Sequence, residues 1–178
     1  MKPTVKTALG GMCVALSAAI MLTSAIPGMM YAIPGAAALL VLFMMAECNK
    51  KWALGVYFCT SVITAIIVPE KEAVAIYIAL LGYYPVLKTV FDNIKPKILK
   101  IAVKVIFFLA IVTAAYWILM KFFGISAELM EDAEKYLIPV LYVLGLAAFI
   151  MYDYALAMFE LAYYRKWRKK LRKILRIR

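Results

Sequence analysis

The chain has 178 residues, 67% of them hydrophobic and 17% charged, with a mean hydropathy of +0.90. Soluble domains are about 45–50% apolar, so this surplus cannot be enclosed in one core of this size, and the composition points to an integral membrane protein. Histidine is absent, which removes His-based zinc sites, Ser–His and Cys–His nucleophile pairs and His-ligated haem.

The apolar segments come in order, separated by charges and by Pro/Gly breaks. From Thr7 to Ala46 there is no charged residue in 40 positions. A single helix of that length would reach about 60 Å, twice a bilayer core of roughly 30 Å, so the chain is expected to fold back once. This gives spans of about 8–25 and 29–46, the first ending before Pro27 and Gly28. Lys2, Lys6, the apolar run and Thr23-Ser24-Ala25 also have the outline of a cleavable signal peptide. The second apolar segment follows almost at once, which suits a membrane hairpin better. A third span of about 52–68 stops at Pro69, and a fourth, about 72–92, is interrupted by Gly82 and Pro85 and predicted to be kinked. The fifth and sixth are about 98–120 and 136–162.

Only helices and closed barrels satisfy their backbones in lipid, and these runs lack the alternation of barrel strands. The predicted fold is therefore all-α: a six-helix transmembrane bundle in one domain, 1–162, followed by a basic tail, 163–178. Cys13, Cys48 and Cys59 show no CxxC spacing and give no sign of disulfide or metal use.

Charge sets the expected orientation. With both termini cytoplasmic, 18 lysines and arginines lie inside and three, Lys71, Lys121 and Lys135, outside. Every inside segment is then basic. The two charged outer loops are net acidic, with Glu70, Glu72, Glu128, Glu131, Asp132 and Glu134. This is the asymmetry of the positive-inside rule. The net charge of +11 is thus matched to the anionic cytoplasmic leaflet rather than to nucleic acid.

Several stretches could carry function. On the first span Gly11, Ala15 and Ala19 put a small residue at every fourth position, a smooth face for close helix approach. The approaching helix is either a second membrane protein's or this chain's own. Between the first two spans, Ile26 to Gly35 is uncharged and holds two Pro-Gly pairs around Met29, Met30 and Tyr31, either a lid over an outer cavity or a stiff turn. Pro69, Glu70 and Glu72 begin the fourth helix, where carboxylates complement the macrodipole or sit at the mouth of a pocket. Gly82 and Pro85 form a fixed kink or a hinge. Asp153 lies 17 residues beyond Tyr136, about 25 Å along a helix, placing it in the inner third of the sixth span. A carboxylate there needs a partner, and Lys104, several residues into the fifth span from the same side, is expected to form an ion pair with it. In the tail, Tyr163, Tyr164, Trp167, Leu171, Ile174 and Leu175 recur at helical steps among nine positive charges. This predicts an amphipathic helix on anionic lipid, with Arg165, Lys166, Trp167, Arg168, Lys169, Lys170, Arg172 and Lys173 at the lipid surface.

Enzyme constellations are missing. The sequence has no D-G-x2-A-R…G-x3-D-x3-D pattern, no rhomboid Gly-x-Ser-Gly with histidine and no Walker loop. The expectation is a non-enzyme without cofactor or metal, and any active transport would draw its energy from a partner.

The size of 20.0 kDa, the six expected helices with cytoplasmic ends, the small-residue stripe and the outer Pro/Gly loop together resemble the substrate-binding S component of energy-coupling factor (ECF) transporters. In that family an Ala-x3-Ala motif on the first helix contacts the transmembrane T component, and here Ala15 and Ala19 match it, extended back to Gly11. The resemblance implies a bacterial plasma-membrane protein working with a T component and two cytoplasmic ATPases. It would capture a small organic micronutrient, such as a vitamin, in an outward pocket. Positions able to reach such a pocket are Met30, Tyr31, Glu70, Glu72, Tyr77, Tyr116 and Tyr142, with aromatic faces for a flat solute. Two alternatives remain. One is a non-transporting membrane subunit of an envelope or cell-shape complex, of the MreD type. The other is a small lipid-handling protein that uses the tail.

Overall fold

The computed structural model describes residues 3–26, 29–94, 96–123 and 131–168. Among them there is helix and no strand. The helices are α1 (Pro3–Leu22), α2 (Ala32–Glu47), α3 (Lys50–Ile67), α4 (Lys71–Ile76), α5 (Tyr84–Phe91), α6 (Lys97–Phe123) and α7 (Glu131–Ala162). A 3₁₀ turn, Thr23–Ala25, extends α1, and π turns at Tyr77–Leu81 and Tyr163–Trp167 follow α4 and α7. Taking α4 and α5 as one broken rod, the described chain forms six rods. Among the described residues, four stretches are long and apolar enough to cross a membrane: Pro3–Ala25, Lys50–Ile67, Lys71–Phe91 and Tyr142–Lys166; Ala32–Glu47 is apolar but shorter.

The chain divides into two compact units, Met1–Val90 with Leu156–Arg178, and Phe91–Ala155. In the first unit α1, α2 and α3 pack against one another. Leu9, Cys13, Val41, Met44, Ala53, Val56 and, from α5, Val86 form the core. Spacings of three and four residues put Leu9, Gly10, Cys13, Ser17 and Met21 on the buried side of α1. A β-carbon on Gly10 would meet Met44 Cε at 3.6 Å and Val56 Cγ2 at 3.7 Å, ordinary contact distances.

Two local features depart from the sequence reading. The second Pro-Gly pair is not a turn: α2 starts at Ala32, so Pro34 and Gly35 stand inside it. Proline lacks the N–H that a first helical turn leaves unbonded anyway, and its fixed φ suits that turn. The connection between α1 and α2 is therefore shorter than Ile26–Gly35, and Ala32 and Ile33 donate their N–H groups to Met29 O. Pro27 and Gly28 lie outside the described residues.

The fourth rod breaks through a π turn as well as at Pro85. Gly82 N donates to Tyr77 O at 2.8 Å, five residues back, so Ile78 O loses its usual i+4 donor. Tyr57 OH, from α3, donates to Ile78 O at 2.9 Å, and Tyr83 OH donates to Ala79 O at 2.7 Å. The Tyr57 hydroxyl thus satisfies a carbonyl that the π turn would leave without its backbone donor, and a second hydroxyl reaches the next carbonyl; a buried unpaired carbonyl costs on the order of 2–7 kcal/mol. Gly82 is required by close approach: a β-carbon there would lie 2.7 Å from the Tyr57 ring and 2.8 Å from Tyr77 O. At the C-terminal end of α3, Lys71 Nζ donates to Ala65 O and Val68 O at 2.8 and 3.0 Å, a cationic cap on the helix.

In the second unit α6 and α7 run antiparallel in a readable register. Lys104 meets Asp153. One turn on, Phe108 stacks on Phe149 with ring centroids 4.9 Å apart, and further still Thr113 and Tyr142 share a hydrogen bond of 3.1 Å. Gly145 leaves room for Phe108, whose Cζ would lie 3.2 Å from an added β-carbon.

Candidate functional site

The first unit carries an apolar groove on the outer side of α1 and α2. Its volume is about 530 Å³, and Met12, Ala15, Leu16, Ala19, Leu40 and Phe43 line it over Leu9 and Cys13. Gly11, Ala15 and Ala19 are all exposed, and Gly11 has nothing within 4 Å of where a β-carbon would stand. Internal packing uses the other side of the helix. The small-residue face therefore borders an open groove whose walls are the flexible or flat side chains Met12, Leu16, Leu40 and Phe43.

The positions expected to reach an outer pocket are not gathered in one place. In the first unit Met30 is half-buried, and Tyr31 is 66% exposed beside the start of α2. Glu70 precedes α4 and makes no capping bond with its side chain, while Glu72 is exposed in the first turn of α4. Tyr77 is at the opposite extreme from Tyr31, fully enclosed at 0% exposure, and its ring lies 6.0 Å from that of Tyr57. The Tyr77 hydroxyl lies beside the buried Thr60 Oγ1. Tyr142 belongs to the second unit, bonded to Thr113, and the side chain of Tyr116 lies outside the described residues.

Lys104 and Asp153 are brought together, with Lys104 Nζ 2.9 Å from Oδ1 and 2.8 Å from Oδ2. Sequence reasoning missed that this is part of a larger cluster. Asp92 Oδ1 lies 3.1 Å from Lys104 Nζ and 2.7 Å from Lys100 Nζ. Two lysines and two aspartates balance, and the 9% exposure of the Lys104 side chain is matched by carboxylates on two sides. The signal was present in the sequence as an acid at the end of the fourth span among Lys88, Lys95 and Lys97. Among the described residues no three His, Cys, Asp or Glu side chains are grouped so as to hold a metal ion.

The tail begins differently from a helix lying wholly on lipid. Tyr163, expected on the lipid-facing stripe, is instead 2% exposed, with its hydroxyl donating to Glu47 Oε1 at 2.7 Å. Arg168 Nε is 3.4 Å from the same oxygen, and its guanidinium sits 5.1 Å from the centre of the Tyr164 ring. Arg165 and Lys166 are exposed. The Trp167 side chain and Lys169, Lys170, Arg172 and Lys173 lie outside the described residues. Glu47 is the second residue the sequence reading passed over: its side chain is 2% exposed, although a lone acid before Asn49, Lys50 and Lys51 reads as a solvated turn. Next to it, burial pushes the Cys48 thiol pKa up, with Lys6 opposing and Glu47 adding to the shift.

The chain matches no family model, no curated protein and no solved structure.

Proposed function

We propose that this chain is the solute-binding membrane subunit of an ECF-type uptake transporter. In this reading it lies in a bacterial plasma membrane as a six-span bundle with both termini cytoplasmic. It receives a small organic micronutrient from outside and delivers it through a T component driven by two ATPases. The observation that carries the reading is the division of α1 into two faces. Leu9, Gly10, Cys13, Ser17 and Met21 are buried within the first unit, while Gly11, Ala15 and Ala19 stay exposed beside the groove. Without a hydrophobic driving force between helices in lipid, close packing on small residues is a main source of affinity, and an exposed smooth face beside a groove supplies it. The charge asymmetry of the loops supports the orientation.

A second reading, a structural membrane subunit of the MreD type, is favoured by Tyr77. A solute-contacting tyrosine needs access, and this one is fully enclosed.

The test is gentle detergent extraction from the native membrane, with mass spectrometry of co-purifying proteins and small molecules. A T component, two ATPases and one enriched metabolite are expected. Ala15→Leu, which fills the groove without entering the core, should abolish recovery of the T component. Recovery of cell-shape or envelope proteins, with neither ATPase nor enriched metabolite, would sink the transporter reading.

A further inference from the structure

The groove and the basic tail meet at one residue. Phe43 walls the groove, and Glu47 is one turn further along the same face of α2. Tyr163 touches both: its ring meets Phe43 edge to face at 5.6 Å, and its hydroxyl reaches Glu47 Oε1. Arg168 adds a charge to the same carboxylate from one turn later. We infer that Glu47, Tyr163 and Arg168 form a clasp that straps the start of the tail onto the first unit and, through Phe43, holds the wall of the α1–α2 groove.

Three physical points carry this. A carboxylate with 2% side-chain exposure is costly unless charge and hydrogen bonds compensate it, and tail residues supply both. The aromatic contact transmits position, because rotating Tyr163 away removes the edge that fixes Phe43. The π turn Tyr163–Trp167 lies between the two clasp residues, so the helical phase that presents Arg168 to Glu47 is set locally. The tail is then more than a lipid anchor: its attachment sets the shape of the surface on which a partner helix would dock. This inference rests on the docking reading for its consequence, but the clasp and its coupling to the groove are properties of the chain alone.

The experiment uses the full chain in nanodiscs without partners. Cys13, Cys48 and Cys59 are replaced, and a nitroxide is attached at Ala15→Cys. Trypsin cleavage after Arg165 and Lys166 reports tail release, and nitroxide mobility reports the groove. Arg168→Ala removes the ion pair with Glu47 and the guanidinium's stacking on Tyr164, and lies outside the core. It is expected to speed cleavage up to about fivefold, the scale of a partly exposed ion pair. Tyr163→Phe keeps the ring and should release the tail with little change at the label. Tyr163→Ala should release the tail and also mobilise the label. Unchanged cleavage in both Arg168→Ala and Tyr163→Ala would overturn the clasp. Released tails with an unchanged label in Tyr163→Ala would overturn the coupling to Phe43. Loss of T-component recovery plays no part in either readout, so failure of the docking reading is seen separately.

Discussion

Two sites, one in each unit, answer the same problem, polar groups in an apolar setting, by opposite means. In the second unit a buried ammonium is matched by charge: Lys104 lies between Asp92 and Asp153, and Lys100 balances the total. In the first unit a broken helix is matched by neutral hydroxyls, with Tyr57 and Tyr83 donating to the carbonyls of Ile78 and Ala79. The charged solution is strong but collapses when a partner is lost, because an uncompensated ion remains. The neutral solution loses only one carbonyl's satisfaction at a time.

The sharpest way to break this contrast is to strip Lys104. Asp153→Asn or Asp92→Asn alone should cost about 1 kcal/mol, since the other carboxylate still faces the ammonium, whereas the double change should cost about 3–5 kcal/mol, more than the two single losses combined. Thermal unfolding of the purified chain in one detergent measures the cycle, and simple additivity would mean that the two carboxylates act independently. Tyr57→Phe is the matching change in the first unit. It keeps the ring against Gly82 but leaves Ile78 O without its hydroxyl donor, and about 1–2 kcal/mol of destabilisation is expected by the same assay. A loss equal to that of the doubly stripped Lys104 would erase the distinction between the units.

The smallest effect separates packing from polarity. Gly10→Ala should be neutral or stabilising by up to about 1 kcal/mol, because the new methyl meets Met44 and Val56 at contact distance and alanine is the better helix former. A clear loss of stability would show that α1 sits closer to its neighbours than these distances state.

The helical rods were legible because long uncharged runs bounded by charge and by Pro/Gly breaks mark their ends. The break in the fourth rod was legible at Gly82 and Pro85, but its π turn was not, since Tyr77 to Leu81 is an unexceptional apolar stretch. What defines the turn is a ring on another helix pressing on Gly82 and a hydroxyl waiting for Ile78 O. Lys104 and Asp153 could be paired from their similar depths, counted from the same side. Asp92 could not, because it was read as the end of a span rather than as a residue folded back over the next helix. Pro34-Gly35 was misread because the same dipeptide serves a turn and a first helical turn. Glu47 was missed because only tertiary contact distinguishes a buried terminal acid from a solvated one. The candidate pocket was the least legible part. Tyr31, Tyr77 and Tyr142 share a residue type and an expected side of the membrane, yet Tyr31 and Tyr77 differ completely in access, and Tyr142 belongs to another unit.

The π turn at Tyr77–Leu81 also works as a phase slip. Each residue advances an α-helix by about 100°, so one extra residue in a turn rotates everything downstream by roughly that angle relative to an unbroken helix. Val86 joins the core and Lys88 is 4% exposed only in the slipped phase. Removing a single residue between Ile78 and Leu81 would restore α-helical spacing ahead of Pro85 and yet turn the following half of the rod to the wrong side. For this rod, therefore, insertions and deletions of one residue matter more than most substitutions, and length in that turn is itself a coded property of the sequence.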